Sequence, residues 1–414
     1  MELIRTFHPV GQGAFYSERI IDGNNEYNVV YDCGSDTKFK NKVERIEEWV
    51  KDKEIHLLCI SHLDNDHVNL VKYLVKHSIK IHKVMMPFIN NEEKILLINR
   101  NRIFKEGMSS LLNNPSNFFG ENVKILYIDR YEDVNDNNTT VLDLSDNNLT
   151  TEGVWSSGSE IIINHILKWR YIPYNFKRED RLQQFKNLLN HNNIDYNKLC
   201  SDKKYTLNLL KHDLKKLRNI FRQVDGNINT NSMLIFSLPS NSGLFQKLEI
   251  QRDQIMYTLK SLKGYTGSDV YNYKIKFAIK EILNKPGCIY TGDAKVDISH
   301  YDKIFKKYHK FIGTVQIPHH GSNKDFCIKL FNKLSNNQYL FCPVSFGEKN
   351  KYNHPTNKNV KYALDIYFKK ERVEVLNYGN LSKKLIVIGV TEKEESTCIQ
   401  IFQNKAQEIK ELIK

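Results

Sequence analysis

Apolar and polar positions alternate with two different periods along this chain, and the changes of period mark its elements. Near the start, "LIRTFHPVGQGAFYSERI" and "EYNVVYDCGS" read as strands and turns of one sheet, with a hydrophilic turn at Asp22 to Asn25. The segment "KVERIEEWVKDKEI" then sets Val43, Ile46, Trp49 and Val50 at helical spacing, and "HLLCIS" predicts a short strand. A helix over "VNLVKYLVKHSI" and a strand at "IHKVMMP" follow. This order puts the residues after "HLLCIS" at the carboxyl end of a strand, where layered α/β proteins collect ligands.

From about 88 to 225 the pattern changes. Asn-rich polar stretches precede a basic segment that reads as mainly helical, without obvious strand alternation. Between Leu167 and Arg222 there are 14 Lys or Arg against 5 Asp or Glu, interleaved with Trp169, Tyr171, Tyr174, Phe176, Tyr196 and Tyr205. Strand patterns return at "NSMLIFSL", "GCIYTGD", "FIGTVQIPHHGS", "QYLFCPVSFG" and "KLIVIGV", with helical patterns at "KIKFAIKEIL", "DFCIKLFNKLS" and "KNVKYALDIYF". The expected organisation is an α/β domain from 1–87 and 226–414, with a helical basic insertion at 88–225 acting as a cap or substrate-binding element.

Composition adds bounds. With 414 residues and 40% hydrophobic content the chain can bury a sizeable core. No apolar stretch approaches the ~20 residues that cross a bilayer, and "MELIRTFHPV" lacks the design of a signal peptide, so a cytoplasmic protein without a membrane partner is expected. The 7 cysteines are scattered, which fits reduced thiols. The net charge of +13 points to an anionic partner such as nucleic acid. The chain is also rich in Lys, Asn and Ile together, a set that AT-rich coding produces without selection for binding. Net charge by itself therefore identifies no partner.

The chemistry concentrates in "SHLDNDH", where His62, Asp64, Asp66 and His67 crowd ionisable groups behind an apolar strand. Alternate residues of an extended stretch point the same way, and a turn carries Asp66 and His67 to a second position, so one short motif can serve two metals. Mixed imidazole and carboxylate donors suit Zn or Mn. Later strand ends add Asp293 in "YTGD", His319 and His320 in "PHHGS", and His354 in "NHP".

These motifs, with "VGQGAF", "VVYDCGS" and "NTNSMLIF" in the same order, resemble the metallo-β-lactamase superfamily, and within it the soluble hydrolase domain of ComEC-type competence proteins. The resemblance implies a four-layer αββα sandwich holding two divalent metal ions. It implies that His62 and Asp64 hold one metal, that Asp66 and His67 hold the other, that Asp293 bridges, and that His319 completes a shell. Asp32 would orient ligands from behind them. Asn231 and Ser232 stand where many relatives have a further His. Asp66 would be catalytic, and His320 and His354 would contact substrate phosphate or donate a proton. Asp64, where a softer His is common, tilts the expectation from lactams to phosphodiesters, hence to a DNA or RNA nuclease.

The basic segment, with Lys215, Lys216 and Arg218, would track a nucleic-acid backbone while its aromatics stack bases; alternatively the aromatics form the core of a helical cap. Two other functions fit the same residues: a small-molecule phosphodiesterase acting on a cyclic nucleotide or phosphocholine ester, and a binding subunit of a multi-protein system such as antiphage defence.

Overall fold

The computed structural model describes residues 2–38, 42–50, 53–76, 79–104, 109–131, 140–145, 152–163, 169–177, 179–224, 231–240, 247–250, 285–335, 340–358, 360, 385–390 and 399–404. The first half contributes strands β1 (Glu2–Phe7), β2 (Phe15–Asp22), β3 (Asn25–Cys33), β4 (Leu57–Cys59), β5 (Lys83–Pro87), β6 (Lys124–Ile128), β7 (Val141–Asp143), β8 (Glu152–Trp155), β9 (Glu160–Ile162) and β10 (Trp169–Lys177). The second contributes β11 (Asn231–Pro239), β12 (Lys247–Ile250), β13 (Gly287–Tyr290), β14 (Ile312–Val315), β15 (Leu340–Ser345), β16 (Leu385–Val390) and β17 (Ile399–Asn404). They form a mixed α/β protein with two sheets. One has 9 strands in the order β12-β17-β1-β2-β3-β4-β5-β6-β8, the other 8 in the order β16-β15-β14-β13-β11-β10-β9-β7.

Alternation within strands sorts side chains between two sheet faces. In β3 and β4, Val29, Tyr31, Leu57 and Cys59 join Met233, Ile235, Cys288 and Tyr290 of the other sheet in one buried cluster, which lies between the sheets. Their neighbours Val30 and Leu58 face the opposite way, into a second cluster with Ile46 and Val50 of α1 (Lys42–Val50) and Val71 and Leu74 of α3 (Val71–Lys76). On the second sheet Leu234, Phe236 and Ile289 face a third cluster with Ile304, Phe305 and Leu330.

A buried ion pair ties the sheets together. Arg5 Nε donates to Glu18 Oε1 at 2.7 Å, and both side chains are 1% exposed. Glu18 also accepts from the hydroxyls of Tyr171 (2.9 Å), Tyr290 (3.0 Å) and Ser237 (2.7 Å), which stand on β10, β13 and β11. Each carboxylate oxygen is thus satisfied across the interface, the condition under which burying a charge is tolerable.

The segment 88–225 departs from the expected mainly helical insertion. Its described residues include five strands, β6 to β10, which extend both sheets. Its described helices fall between Asn91 and Phe119 and between Glu179 and Gln223. The strand at "WRYIPYNFK" is buried on both faces, so Trp169 and Tyr171 go to the inter-sheet cluster while Tyr174 and Phe176 go to the outer one. An apolar residue at almost every position hides the period-two signal that a half-exposed strand shows. Tyr196 is buried and Tyr205 partly buried against the helices over the first sheet. Trp169, Tyr171, Tyr174, Phe176 and Tyr196 are therefore core residues with no face left for a base, and Tyr205 packs partly buried against the same helices.

Elsewhere the expected strands and helices appear, except that the helix expected over "VNLVKYLVKHSI" starts only at Val71 as α3, behind a short α2 (Asn65–Val68). Between the two, the Asn69 side chain accepts the Ser35 N–H and donates to the Ser35 carbonyl, both at 2.9 Å. The patterns at "KIKFAIKEIL" and most of "KNVKYALDIYF", with Cys398, lie outside the described residues. The six described cysteines are free thiols. Among the described residues no helix is long and apolar enough to cross a membrane.

Candidate metal centre

The expected ligands meet because they follow strands that end together. Asp32 closes β3, "SHLDNDH" follows β4, and Asp293, His319 with His320, and His354 follow β13, β14 and β15. Strands β3 and β4 run parallel, as do β13, β14 and β15, so these loops emerge on one edge. The antiparallel β11 begins there too. The Met233 N–H donates to the Ser61 carbonyl at 2.7 Å, and Tyr31 Oη donates to the Met233 carbonyl at 2.8 Å.

Two glycines let the backbone pack onto the motif. A Cβ on Gly34 would sit 2.5 Å from the Asp66 carbonyl group, and one on Gly13 would sit 2.6 Å from the Asp66 oxygen. That oxygen accepts the Ala14 N–H at 3.2 Å, so "VGQGA" braces the second half of the motif.

Around Asp293 three imidazoles converge. His62 Nε2 lies 3.5 Å and His319 Nε2 3.4 Å from Oδ2, and His67 Nε2 lies 3.4 Å from Oδ1. Asp64 Oδ2 is 3.6 Å from His62 Nε2. These separations exceed ordinary N–H···O lengths. Buried and without a hydrogen-bond partner among the described residues are His62 Nε2, His67 Nε2, Asp64 Oδ1 and Asp293 Oδ1. Buried polar atoms normally find partners, and His62, His67 and Asp293, whose ligand atoms lie within 4.8 Å of one another, each keep an unsatisfied atom that a cation would complete. The residues present therefore fit a metal.

Donor groups of metal-binding geometry form twice here, as His62, His67 and Asp293, and as Asp66, His67 and His320. His320 Nε2 is 3.2 Å from Asp66 Oδ2 while its Nδ1 donates to the Ser345 carbonyl at 2.8 Å. The sequence reads His320 as a substrate contact or proton donor; the structure sets its Nε2 beside the Asp66 carboxylate. His319 sits instead beside Asp293.

Supporting groups aim these ligands. Asp32 is fully buried at φ +55°, and its Oδ1 accepts the Ser61 N–H at 2.7 Å. Its Oδ2 accepts Ser61 Oγ–H at 2.7 Å and meets His67 Nδ1 at 2.8 Å, which turns His67 Nε2 toward Asp293. Asp325, buried and unforeseen, pairs with His319 Nδ1 in the same manner. Ser61 Oγ also reaches His62 Nδ1 at 2.8 Å. Ser232 Oγ accepts the Asp293 N–H at 3.1 Å, and Asn231 begins β11 opposite Lys177. Ser61 is adjacent to a recognised motif, whereas nothing in the sequence around Asp325 marks it.

Electrostatics follow from the crowding. Burial would push the Asp293 carboxyl up, but His319, His67 and His62 hold it well below the usual carboxylate range. Burial likewise opposes the low pKa of Asp66, which His67 and the His320 hydrogen bond enforce. Burial opposes protonation of His67 as well, yet Asp293, Asp32 and Asp66 raise it well above its ordinary value. A proton held there by three carboxylates marks a field that also favours a divalent cation. His354 is pushed down to about 4 by burial, then by His320 and His319. Its ring lies 5.4 Å from that of His319 and 5.9 Å from that of His320.

Lys215, Lys216 and Arg218 lie on the helix Leu214–Gln223, which buries Leu217, Ile220 and Phe221 over the first sheet. Lys215 and Lys216 are exposed and Arg218 is half-buried. A third donor group, Glu54, His56 and His82, sits at the opposite ends of β4 and β5. There Lys80 already faces Glu54 at 3.2 Å and the Asn28 N–H occupies His56 Nδ1, so its charges and lone pairs are met.

Residues 20–92 match the family model described as the metallo-beta-lactamase superfamily. The matched segment holds Asp32, His62, Asp64, Asp66 and His67, while Asp293, His319, His320 and His354 lie beyond it. Domains of this superfamily are typically metal-dependent hydrolases. A search of curated proteins gives no match to the chain.

Proposed function

We propose that this protein is a metal-dependent phosphodiesterase, most specifically a nuclease of the ComEC-like type, working in the cytoplasm. The observation that carries the reading is the pair of donor groups sharing His67, with four buried ligand atoms lacking partners. His62, Asp64 and Asp293, with His67, would hold one divalent ion, and Asp66, His67 and His320 a second. His319 would complete the set through Asp293. When bound, Mn or Zn ions supply Lewis acidity toward phosphoryl oxygens and make water nucleophilic at neutral pH.

The protein's own contribution is orientation. Asp32 and Asp325 fix the tautomers of His67 and His319 so that both present Nε2 to Asp293. Three carboxylates make the site hard, which favours phosphate esters over lactams. His354, beside both histidines of "PHHGS", is placed to meet a substrate oxygen. The three hydrophobic clusters support a helix–sheet–sheet–helix layering with the site at one open edge. The exposed Lys215 and Lys216 are candidates for holding a polyanionic substrate outside the site.

The test is incubation of single- and double-stranded DNA and RNA with Mn-loaded protein, alongside metal analysis. Cleavage by wild type and none by Asp66→Ala/His67→Ala is expected. Equal activity of the two proteins would refute the reading.

A further inference from the structure

The loop that carries His354 also presents an exposed aromatic ring at the mouth of the site. Tyr352 is 46% exposed. Its ring lies 5.7 Å from that of His354 at an interplanar angle of 28°. Single exposed aromatics are common on protein surfaces and usually mean nothing. This one is held rigidly beside the metal centre. Asn350 Oδ1 accepts the N–H groups of Tyr352 (3.1 Å) and His354 (2.8 Å), while its Nδ2 donates to the carbonyls of Gly347 (2.6 Å) and His354 (2.8 Å). Asn353 takes the left-handed conformation at φ +57° to turn the chain between the two rings. One side-chain amide thus ties down the loop backbone, so little backbone entropy is lost when the ring binds a ligand.

Charge surrounds the ring. The Lys351 ammonium lies 4.7 Å from its centroid and 3.6 Å from Asp36 Oδ2. Lys351 is 70% exposed, so it can swing aside toward a phosphate. Asp36 in turn accepts at 2.8 Å from Nδ2 of Asn65, which stands between Asp64 and Asp66, and this ties Lys351 and the ring beside it to the side of the centre that carries this motif. An aromatic plane, a mobile ammonium and a metal-binding group in sequence match the parts of a nucleotide: base, phosphate and scissile ester.

We infer that Tyr352 stacks the nucleobase next to the scissile phosphodiester, with Lys351 on an adjoining phosphate, so that the site takes nucleotidyl esters in preference to other phosphodiesters. This rests on the phosphodiesterase reading and deepens it by assigning the residue that recognises the base. Oligonucleotides and cyclic or dinucleotides share that chemistry.

The experiment measures KM and kcat of the full-length Mn-loaded protein on short DNA and RNA oligonucleotides, a cyclic dinucleotide, and an oligonucleotide of the same length with abasic residues. Base stacking of the usual strength predicts a KM for the abasic substrate roughly 5- to 100-fold above that for its intact counterpart. Tyr352→Phe keeps this ratio and Tyr352→Ala brings it close to one, while Leu207→Ala, at an exposed position on the helix Lys203–His212, leaves it as in wild type. The nucleotide with the lowest KM identifies the source. A ratio near one in wild type, or one unaltered by Tyr352→Ala, overturns the inference. If wild type cleaves none of the substrates, the hydrolase reading fails instead; fluorescence anisotropy of the labelled oligonucleotides then decides stacking, which is overturned if Tyr352→Ala binds intact and abasic strands as wild type does.

Discussion

Replacing Asp32 by Asn isolates what a buried carboxylate does for His67, the proposed metal ligand it orients. The residue sits at φ +55°, a conformation that Asn tolerates as well as Asp, so the backbone is spared. The Asn oxygen must face the Ser61 N–H, the one fixed donor, now 2.7 Å from Oδ1. Its NH2 then occupies the Oδ2 position, 2.8 Å from His67 Nδ1. Two donors would meet there, so the proton of His67 moves to Nε2. Nε2 is the atom that faces Asp293 at 3.4 Å, and protonated it cannot ligate. Loss of such an orienting partner typically weakens metal binding about 10- to 100-fold, or ~1.4–2.7 kcal/mol. Chelator competition with Mn or Zn measures the affinity, and thermal unfolding with excess chelator checks that the metal-free protein is equally stable. Affinity within about twofold of wild type would show that Asp32 does not set the tautomer of His67.

Three further outcomes are expected. Glu18→Gln leaves Arg5 charged and buried between the sheets, and urea denaturation should show a loss of roughly 3–5 kcal/mol; recovery in Arg5→Met/Glu18→Leu would confirm that the charge is the cause, and a loss under about 1 kcal/mol would refute it. His8 is buried and pushed down to about 3 by burial and then Lys53, against an ordinary 6.5. The unfolded chain binds this proton below 6.5 while the folded chain resists it to about 3, so stability falls as pH drops through that window, by about 2 kcal/mol at pH 5. His8→Gln should flatten the slope between pH 7 and pH 5, and an unchanged slope would assign it elsewhere. Reversing charge at Lys215, Lys216 and Arg218 should weaken nucleic-acid binding and flatten its salt dependence without altering metal content; unaltered affinity and salt slope would exclude that helix from the binding surface.

Part of this site is local and therefore readable along the chain. The spacing of His62, Asp64, Asp66 and His67 needs only a strand end and a turn, and β4 followed by α2 supplies both. The same holds for Asp293 after β13 and for the histidines after β14. Short aliphatic runs such as "NVVY" in β3 and "LLC" in β4 read as strands although both their faces are covered. The strand β10 does not, because its aromatics, divided between two buried clusters, look along the chain like a cluster suited to binding. Its basic neighbours made the segment look like a nucleic-acid track, yet Trp169, Tyr171, Tyr174 and Phe176 are all buried.

Sequence alone determined which residue types would be gathered and at which strand ends, since ligand spacing and strand period are properties of a few consecutive residues. Only the tertiary structure decided their partners. That His320 rather than His319 faces Asp66, that Asp325 backs His319, and that Glu18 closes the two sheets over Arg5 all depend on how distant segments dock. So does the exposure of Tyr352 next to the centre. The physical reason is range: backbone geometry fixes what neighbours along the chain can do, while the pairing of buried charges is chosen by sheet closure, which brings Asp66 and His320 within 3.2 Å.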